Sequence, residues 1–412
     1  MLRKHLMVLA GVAVLTAGCG GGNDNLTFGN PDPTSTPTET PTPAATSTPT
    51  SVTAAAVVAN YADILYANYN AAIAGAEALH DAVDAFVEAP SQTTLDAAKA
   101  AWIASRPAYQ QSEFARFYNG PIDDPETGPE GLINAWPLDE NYIDSVDGAP
   151  TSGIINDPAN LPVIDEDTLA EANEAGGEAN IATGYHAIEF LLWGQDQSTT
   201  GPGNRPFTDY VTDGGGTAAN QERRGEYLQA VAHLLIDHLQ EVADQWAPGN
   251  PNNYRAAFLA LDTDEALGRI LTGLGTLSAG ELGGERLSVA FETRDQEDEH
   301  SCFSDNTRDD LANDGVGIQN AYLGRYGAID GPGIDELVRQ ADPALDATLQ
   351  AQLAASVAAL QAIPQPLDQA LQGADDSPGR VAIQTAITDL FTQADSISSA
   401  AEALGVSTGT PE

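Results

Sequence analysis

The stretch AAAVVANYADILYANYNAAIAGAEALHDAVDAFVEA, residues 54 to 89, narrows what this chain can become more than any other. Alanine and other strong helix formers dominate it, its larger apolar residues recur at helical spacing, and Pro90 follows at once. Similar patterns return along the chain. A second helix is expected over about Gln92 to Tyr118, with Pro107 kinking it, a third over about 179 to 194, and a fourth over about 219 to 246. The strongest internal break is APGNPNN at 247 to 253. Beyond it, helices are expected at about 254 to 279, 284 to 299, 343 to 362 and 378 to 404. Irregular stretches at 119 to 178 and 300 to 333 interrupt the series, and strand-like alternation is scarce. Helix, helix, long loop, helix, helix therefore occurs twice. The expected fold is all-α, with two tandem up-and-down four-helix-bundle domains over 54 to 248 and 252 to 404.

The segment ahead of this body is of another kind. MLRKHLMVLAGVAVLTAGCGGG places Arg3 and Lys4 before a short apolar run, then small residues, then Cys19. This is a targeting segment, and TAGC resembles the lipobox of bacterial lipoproteins, which predicts cleavage after residue 18 and lipidation of Cys19. From Pro31 to Thr50, sixteen of twenty residues are Pro, Ser or Thr, so residues 19 to 53 read as an extended tether holding the body off a membrane. With Cys19 lipidated, Cys302 is the remaining thiol, leaving neither an intramolecular disulfide nor a thiolate metal cluster. A formal charge of −44 repels phosphate backbones, so nucleic acid is excluded as a partner, while cations are attracted.

Within the third helix, NIATGYHAIEFLLWGQD holds an ionisable pair in an apolar run. His186 and Glu189 lie at i and i+3, on one face, and Trp193 continues their line. Ile181, Tyr185, Ile188 and Leu192 form a second stripe, and Phe190 and Leu191 close much of the rest. A helix apolar nearly all round is buried, and a buried carboxylate must be neutralised, paired or bound to metal. Imidazole with carboxylate suits iron, zinc or manganese. Spacing alone does not decide between a metal pair and a core ion pair, because four of the six histidines have a glutamate three residues away. His238/Glu241 and Glu77/His80 read as solvated pairs on amphipathic helices.

On the second helix, Trp102, Arg106, Tyr109 and Glu113 fall at i, i+4, i+7 and i+11, one narrow stripe of aromatics and opposite charges. Such a stripe suits the wall of a polar pocket facing His186; the competing reading is an Arg106–Glu113 pair bracing two helices. Further on, ERLSVAFETRDQEDEHSCFSDNT is dense in charge, and Cys302 and Phe303 inside it imply that the run packs against something.

GYHAIEFLLWGQD resembles the GxHxxE signature of the imelysin family. SEFARFYNGPID, AWPLDENYID and ETRDQEDEHSCFSDNT are similar, in order, to landmarks of its iron-regulated branch. The resemblance covers about residues 54 to 404 and implies two four-helix bundles with the GxHxxE helix near their interface. It implies an envelope protein tied to iron acquisition, with Gly184, His186 and Glu189 filling the motif and Glu113 as the further carboxylate ligand. On this reading the cargo is iron, with zinc the alternative. Arg106 or Tyr109 orients a ligand, the lipid anchor provides the membrane contact, and components of an iron-uptake transporter are candidate partners. One rival is a metallopeptidase with Glu113 or Glu189 as base, although no HExxH helix is present. The other is a non-catalytic surface adhesion or scaffold protein.

Overall fold

The computed structural model describes residues 51–198 and 200–409. The expected signal segment 1 to 18, the lipidation site Cys19 and nearly all of the tether 19 to 53 lie outside the described residues. Eight principal helices carry the fold: α1 (Ala54–Glu88), α2 (Gln92–Gln110), α3 (Gly184–Trp193), α4 (Gln221–Trp246), α5 (Thr263–Thr276), α6 (Thr307–Tyr322), α7 (Pro343–Ala362) and α8 (Pro378–Leu404). The fold is all-α; strand structure among the described residues is limited to the antiparallel pair β1 (Arg325–Tyr326) and β2 (Ile329–Asp330) and one isolated bridge.

Local chemistry sets the helix limits. The Thr53 hydroxyl accepts from the Ala56 amide to start α1, and Ser91 with Thr94 forms a reciprocal capping box on α2. Asp342 and Ser377 cap α7 and α8, each followed by proline at the first helical position, and Gly405 ends α8 in a left-handed conformation.

α1 packs along α2 and α4, and α3 lies against both α2 and α4. α8 packs on α5 and α7, while α6 packs on α7 and also crosses α2. Residues 247–253, the expected break between the two halves, form a turn: the Asn253 amide donates to the carbonyls of Asp244 and Ala247. The Trp246 and Phe258 rings meet across that turn at 5.4 Å, and Tyr61 and Phe114 join them. One continuous hydrophobic core runs from Val57 to Val406, within a single compact unit.

Several expected boundaries change. α2 stops at Gln110 rather than Tyr118; a 3-10 turn at Glu113–Ala115 follows, so Glu113 is no longer on the α2 stripe. The expected helix at 254 to 279 is two pieces, Tyr254–Leu259 and α5. α5 then widens into a π-helix over Leu277–Ser288, a stretch with three glycines, before a last α-helical turn at Val289–Thr293. The stretch 300 to 333, expected to be irregular, contains α6. The long connection 119 to 178 is ordered by buried charge: Asp144 accepts from Arg205 at 2.7 Å and from Arg224 at 2.7 and 2.9 Å. Those guanidiniums hold its carboxyl below the usual range despite burial.

Candidate metal centre

All ten residues of α3 are buried. Its first residue, Gly184, has φ +83°, and a β-carbon there would collide with the carbonyl oxygen of Ile133. Only glycine tolerates both the backbone angle and the approach. Thr183 reinforces the contact by donating its hydroxyl to the Leu132 carbonyl at 3.0 Å. Segment 132–136 is thereby pressed onto the start of α3, and Trp136 meets the His186 ring edge-on at 5.2 Å.

His186 and Glu189 do form a pair, with Nδ1 2.9 Å from Oε2. The other glutamate oxygen, Oε1, accepts from the Ser304 amide at 2.9 Å and its hydroxyl at 2.7 Å. Burial pushes the Glu189 carboxyl up to about 8, against the opposing pull of the Ser304 hydrogen bonds. Burial, then the neighbouring His300 and Arg106, pushes His186 well below its ordinary range. The imidazole is therefore neutral. With Glu189 ionised and accepting from Nδ1–H, the lone pair sits on Nε2, a buried atom without a protein partner. An ion at Nε2 thus displaces the carboxyl's proton and favours that form. Both Glu189 oxygens are engaged, so in its ionised form the carboxylate fixes the ring and its tautomer, the arrangement that raises the basicity of an imidazole toward an ion; in the protonated form Oε2–H donates to Nδ1 and Nε2 carries the ring hydrogen.

His300 stands beside this pair, its ring centroid 4.6 Å from that of His186 and nearly perpendicular. Burial, with Arg286 and Arg106 nearby, lowers its pKa well below the ordinary value. Its Nε2 lies 3.4 Å from Asn134 Nδ2, and its Nδ1 is 3.7 Å from Asp310. Asn134 is the hub of the surrounding network. It accepts from Arg106 Nη1 at 2.8 Å and donates to Glu113 Oε1 at 3.1 Å.

The α2 residues are thus brought to the site, in pairings other than those expected. Arg106 grips Asp310 of α6, with Nη2 2.9 Å from Oδ2, and lies over the Tyr185 ring at 4.5 Å; it does not pair with Glu113. Glu113 is clamped by Arg286, presented by the π-helix, at 2.5 Å. Arg286 and Arg116 hold the Glu113 carboxyl below its ordinary range against burial. On the far side Arg286 donates to Asp314 at 2.9 Å, and burial leaves that carboxyl well above its usual range. Trp102 donates to the Tyr185 carbonyl at 2.9 Å and packs edge-on against Trp193 at 5.4 Å. Tyr109 packs against Tyr185 at 5.2 Å, and its hydroxyl has no hydrogen-bond partner. Cys302 and Phe303 are buried, and Phe303 packs against Phe190 and Trp136. His238, expected to be solvated, is buried instead, which lowers its pKa.

Asn134, Asp310 and Asp314 are site residues that sequence reasoning did not single out; His300 and Ser304 lie within the charged run ETRDQEDEHSCFSDNT, but neither was given a role there. Asp310 and Asp314 share an i, i+4 face of α6, the local signal available for those two. A cavity of about 490 Å³ opens over His300, Trp136, Asn134 and Arg286. Its walls carry Glu130, Glu174, Glu178, Glu281, Glu285 and Asp298. As a donor set the site is incomplete: among the described residues, no three His, Cys, Asp or Glu side chains are grouped to hold a metal ion. It offers one unpartnered imidazole nitrogen on His186, a second histidine in ring contact, and an acidic cavity that this second histidine lines.

This all-α architecture around a buried His-x-x-Glu pair places the chain in a known class. It belongs to the imelysin family, whose model matches residues 65–397. Iron-regulated protein A of Synechococcus elongatus is 25% identical over 290 residues, spanning 68% of this chain and 68% of its own length. A crystal structure of a putative iron-regulated protein A precursor from Parabacteroides distasonis has the same fold. It aligns with a TM-score of 0.64 and 21% identity over 86% of this chain and 97% of that one.

Proposed function

We propose that the protein is an envelope lipoprotein that binds iron, or a similar divalent ion, as cargo in iron acquisition. The observation that carries this reading is the buried, unpartnered Nε2 of His186, oriented from behind by Glu189, with His300 and Trp136, which both touch its ring, lining a carboxylate-walled cavity. Leaving such a nitrogen without water or ligand is costly, and an ion accepting its lone pair removes that cost. His186 is the anchoring ligand, Glu189 its orienting carboxylate, and His300 the second imidazole once its ring turns from Asn134. Glu113 is held by Arg286 and Asn134 and braces the site from the side. The iron-related names of the relatives, the lipobox-like TAGC and the Pro/Ser/Thr-rich segment all support a tethered envelope location. No helix among the described residues is long and apolar enough to cross a membrane; the anchor in this reading is a lipid on Cys19.

The test is anaerobic titration of the purified chain with Fe²⁺, and with Co²⁺ as a spectroscopic stand-in. Of the metal that the wild-type protein takes up, near one equivalent is expected to be lost in His186→Ala while its helical circular dichroism persists. Unchanged uptake by His186→Ala would overturn the reading. Metal-dependent cleavage of a denatured protein substrate, lost in the same variant, would replace it with a peptidase.

A further inference from the structure

Four of the five described histidines stand in pairs, and one of those pairs lies outside the buried site. His80 of α1 and His233 of α4 face each other across neighbouring helices, ring centroids 5.6 Å apart and planes inclined at 55°. Each opens a similar five-residue pattern, HDAVD at 80 to 84 and HLLID at 233 to 237. An aspartate therefore follows each histidine by one helical turn, Asp84 at 3.9 Å from His80 Nε2 and Asp237 at 3.8 Å from His233 Nδ1. A third element contributes Glu166, whose Oε1 lies 3.3 Å from His233 Nδ1. Gln229 of α4 donates to Asp84 at 2.8 Å, fixing the two helices against each other at this level.

The geometry is close to that of a chelate. Two imidazoles on one tetrahedral ion, with metal–nitrogen bonds of about 2.1 Å, place their ring centroids roughly 5.2 Å apart. The observed 5.6 Å exceeds this by about 0.4 Å, and side-chain rotation would bring one nitrogen of each ring to the ion. The charged groups near the ring nitrogens of His80 and His233 are carboxylates, none nearer than 3.3 Å. Glu166, 3.3 Å from His233 Nδ1, is within reach of accepting from that nitrogen, which would orient the ring and leave Nε2 for the ion. Side-chain exposures of 24% for His80 and 48% for His233 leave both rings open to water. Among the described residues no three donors converge here, so the ion keeps water at its remaining positions. Imidazole donors select first-row transition ions over calcium and magnesium.

We propose that His80 and His233 form a second, solvent-accessible site for a divalent first-row transition metal ion. Glu166, Asp84 and Asp237 supply the surrounding negative charge, and the site is independent of His186. Its position on the surface makes it exchange-labile, a place where an ion is held before or after its stay in the interior.

The experiment uses the full chain and Ni²⁺ alone, by calorimetric titration in a non-coordinating buffer. The His186→Ala protein is expected to retain a Ni²⁺ site, and His80→Ala or His233→Ala in that background to weaken it roughly tenfold or more. Cu²⁺ bound to His186→Ala should show two equatorial imidazole nitrogens in its electron paramagnetic resonance spectrum, and one after His80→Ala is added. Should an alanine form lose helicity, His80→Gln and His233→Gln keep a polar side chain and serve instead. Undiminished Ni²⁺ binding by the double variant, or binding only at millimolar Ni²⁺, overturns the proposal. Neither result bears on the His186 reading, which has its own variant.

Discussion

Glu113 and Arg286 meet at 2.5 Å between the turn that ends α2 and the π-helix that follows α5, with 173 positions of sequence separating them. Both side chains are buried, and Arg286 also holds Asp314. Arg286→Met should leave Glu113 without its main counter-charge, a loss on the order of 3–5 kcal/mol in unfolding free energy. Glu113→Gln should cost less, because the amide keeps the hydrogen bond to Asn134, and it should leave metal uptake within about threefold of wild type. Chemical denaturation of both variants beside a metal titration checks this. A Glu113→Gln protein that folds normally but binds no metal would make Glu113 a ligand after all.

Glu189 makes stability depend on pH in a direction opposite to that of an ordinary paired carboxylate. Its folded pKa of about 8 lies above that of an unfolded glutamate, so the folded state holds the extra proton between those values. That contribution is complete below the unfolded pKa, about 4.3, and is lost as pH rises through about 8. The amide of the Glu189→Gln variant carries no such proton. The wild-type stability minus that of Glu189→Gln should therefore fall by a few kcal/mol from pH 5 to pH 8, at about 1.36 kcal/mol per unit. Urea denaturation of metal-free protein at both pH values measures the difference; a flat difference would show that the carboxyl ionises normally.

Gly184 and Gly249 separate backbone strain from steric collision. Both have left-handed φ, +83° and +81°, but a β-carbon at Gly249 meets nothing within 4 Å, whereas one at Gly184 strikes the Ile133 carbonyl. Gly249→Ala should cost about 1 kcal/mol from the conformation alone. Gly184→Ala should cost at least about 3 kcal/mol and draw Trp136 off the His186 ring. Thermal unfolding gives the first comparison, and the tryptophan emission of the two folded variants gives the second. Equal costs would mean that segment 132–136 yields freely.

The helices legible in the sequence are those whose apolar residues alone set a 3.6-residue period. α6 is hidden because Gly315 and Gly317, with four charged residues from Arg308 to Asp314, imitate a loop. In the structure those glycines are contacts: a β-carbon at Gly317 would strike the Gln111 backbone, and one at Gly315 would crowd Leu360. The Trp102 to Glu113 stripe fails at its end for a related reason. The hydrogen-bond ladder of α2 closes on the Pro107 carbonyl through the Gln111 amide, and the chain then tightens into a 3-10 turn that swings Glu113 toward Arg286. His186 and Glu189 are readable as a pair because one helix presents both. Asn134, His300 and Asp310 come from three separated segments, and no local period announces that the fold will join them.

The cavity over His300 carries more carboxylate than its own arginines neutralise. Arg116 and Arg286 are met by Glu113, Glu130 and Glu281, whereas Glu174, Glu178 and Glu285 have no basic partner among the described residues. A mouth of this sign concentrates cations and repels anionic chelates, and the attraction is screened over about 8 Å at physiological salt. Raising ionic strength should therefore slow Co²⁺ capture by His186 more than it slows release. Glu174→Gln, Glu178→Gln and Glu285→Gln together should slow capture roughly tenfold at low salt while leaving folding intact, since all three are exposed. An association rate insensitive both to salt and to the triple substitution would mean that ions reach His186 by another path.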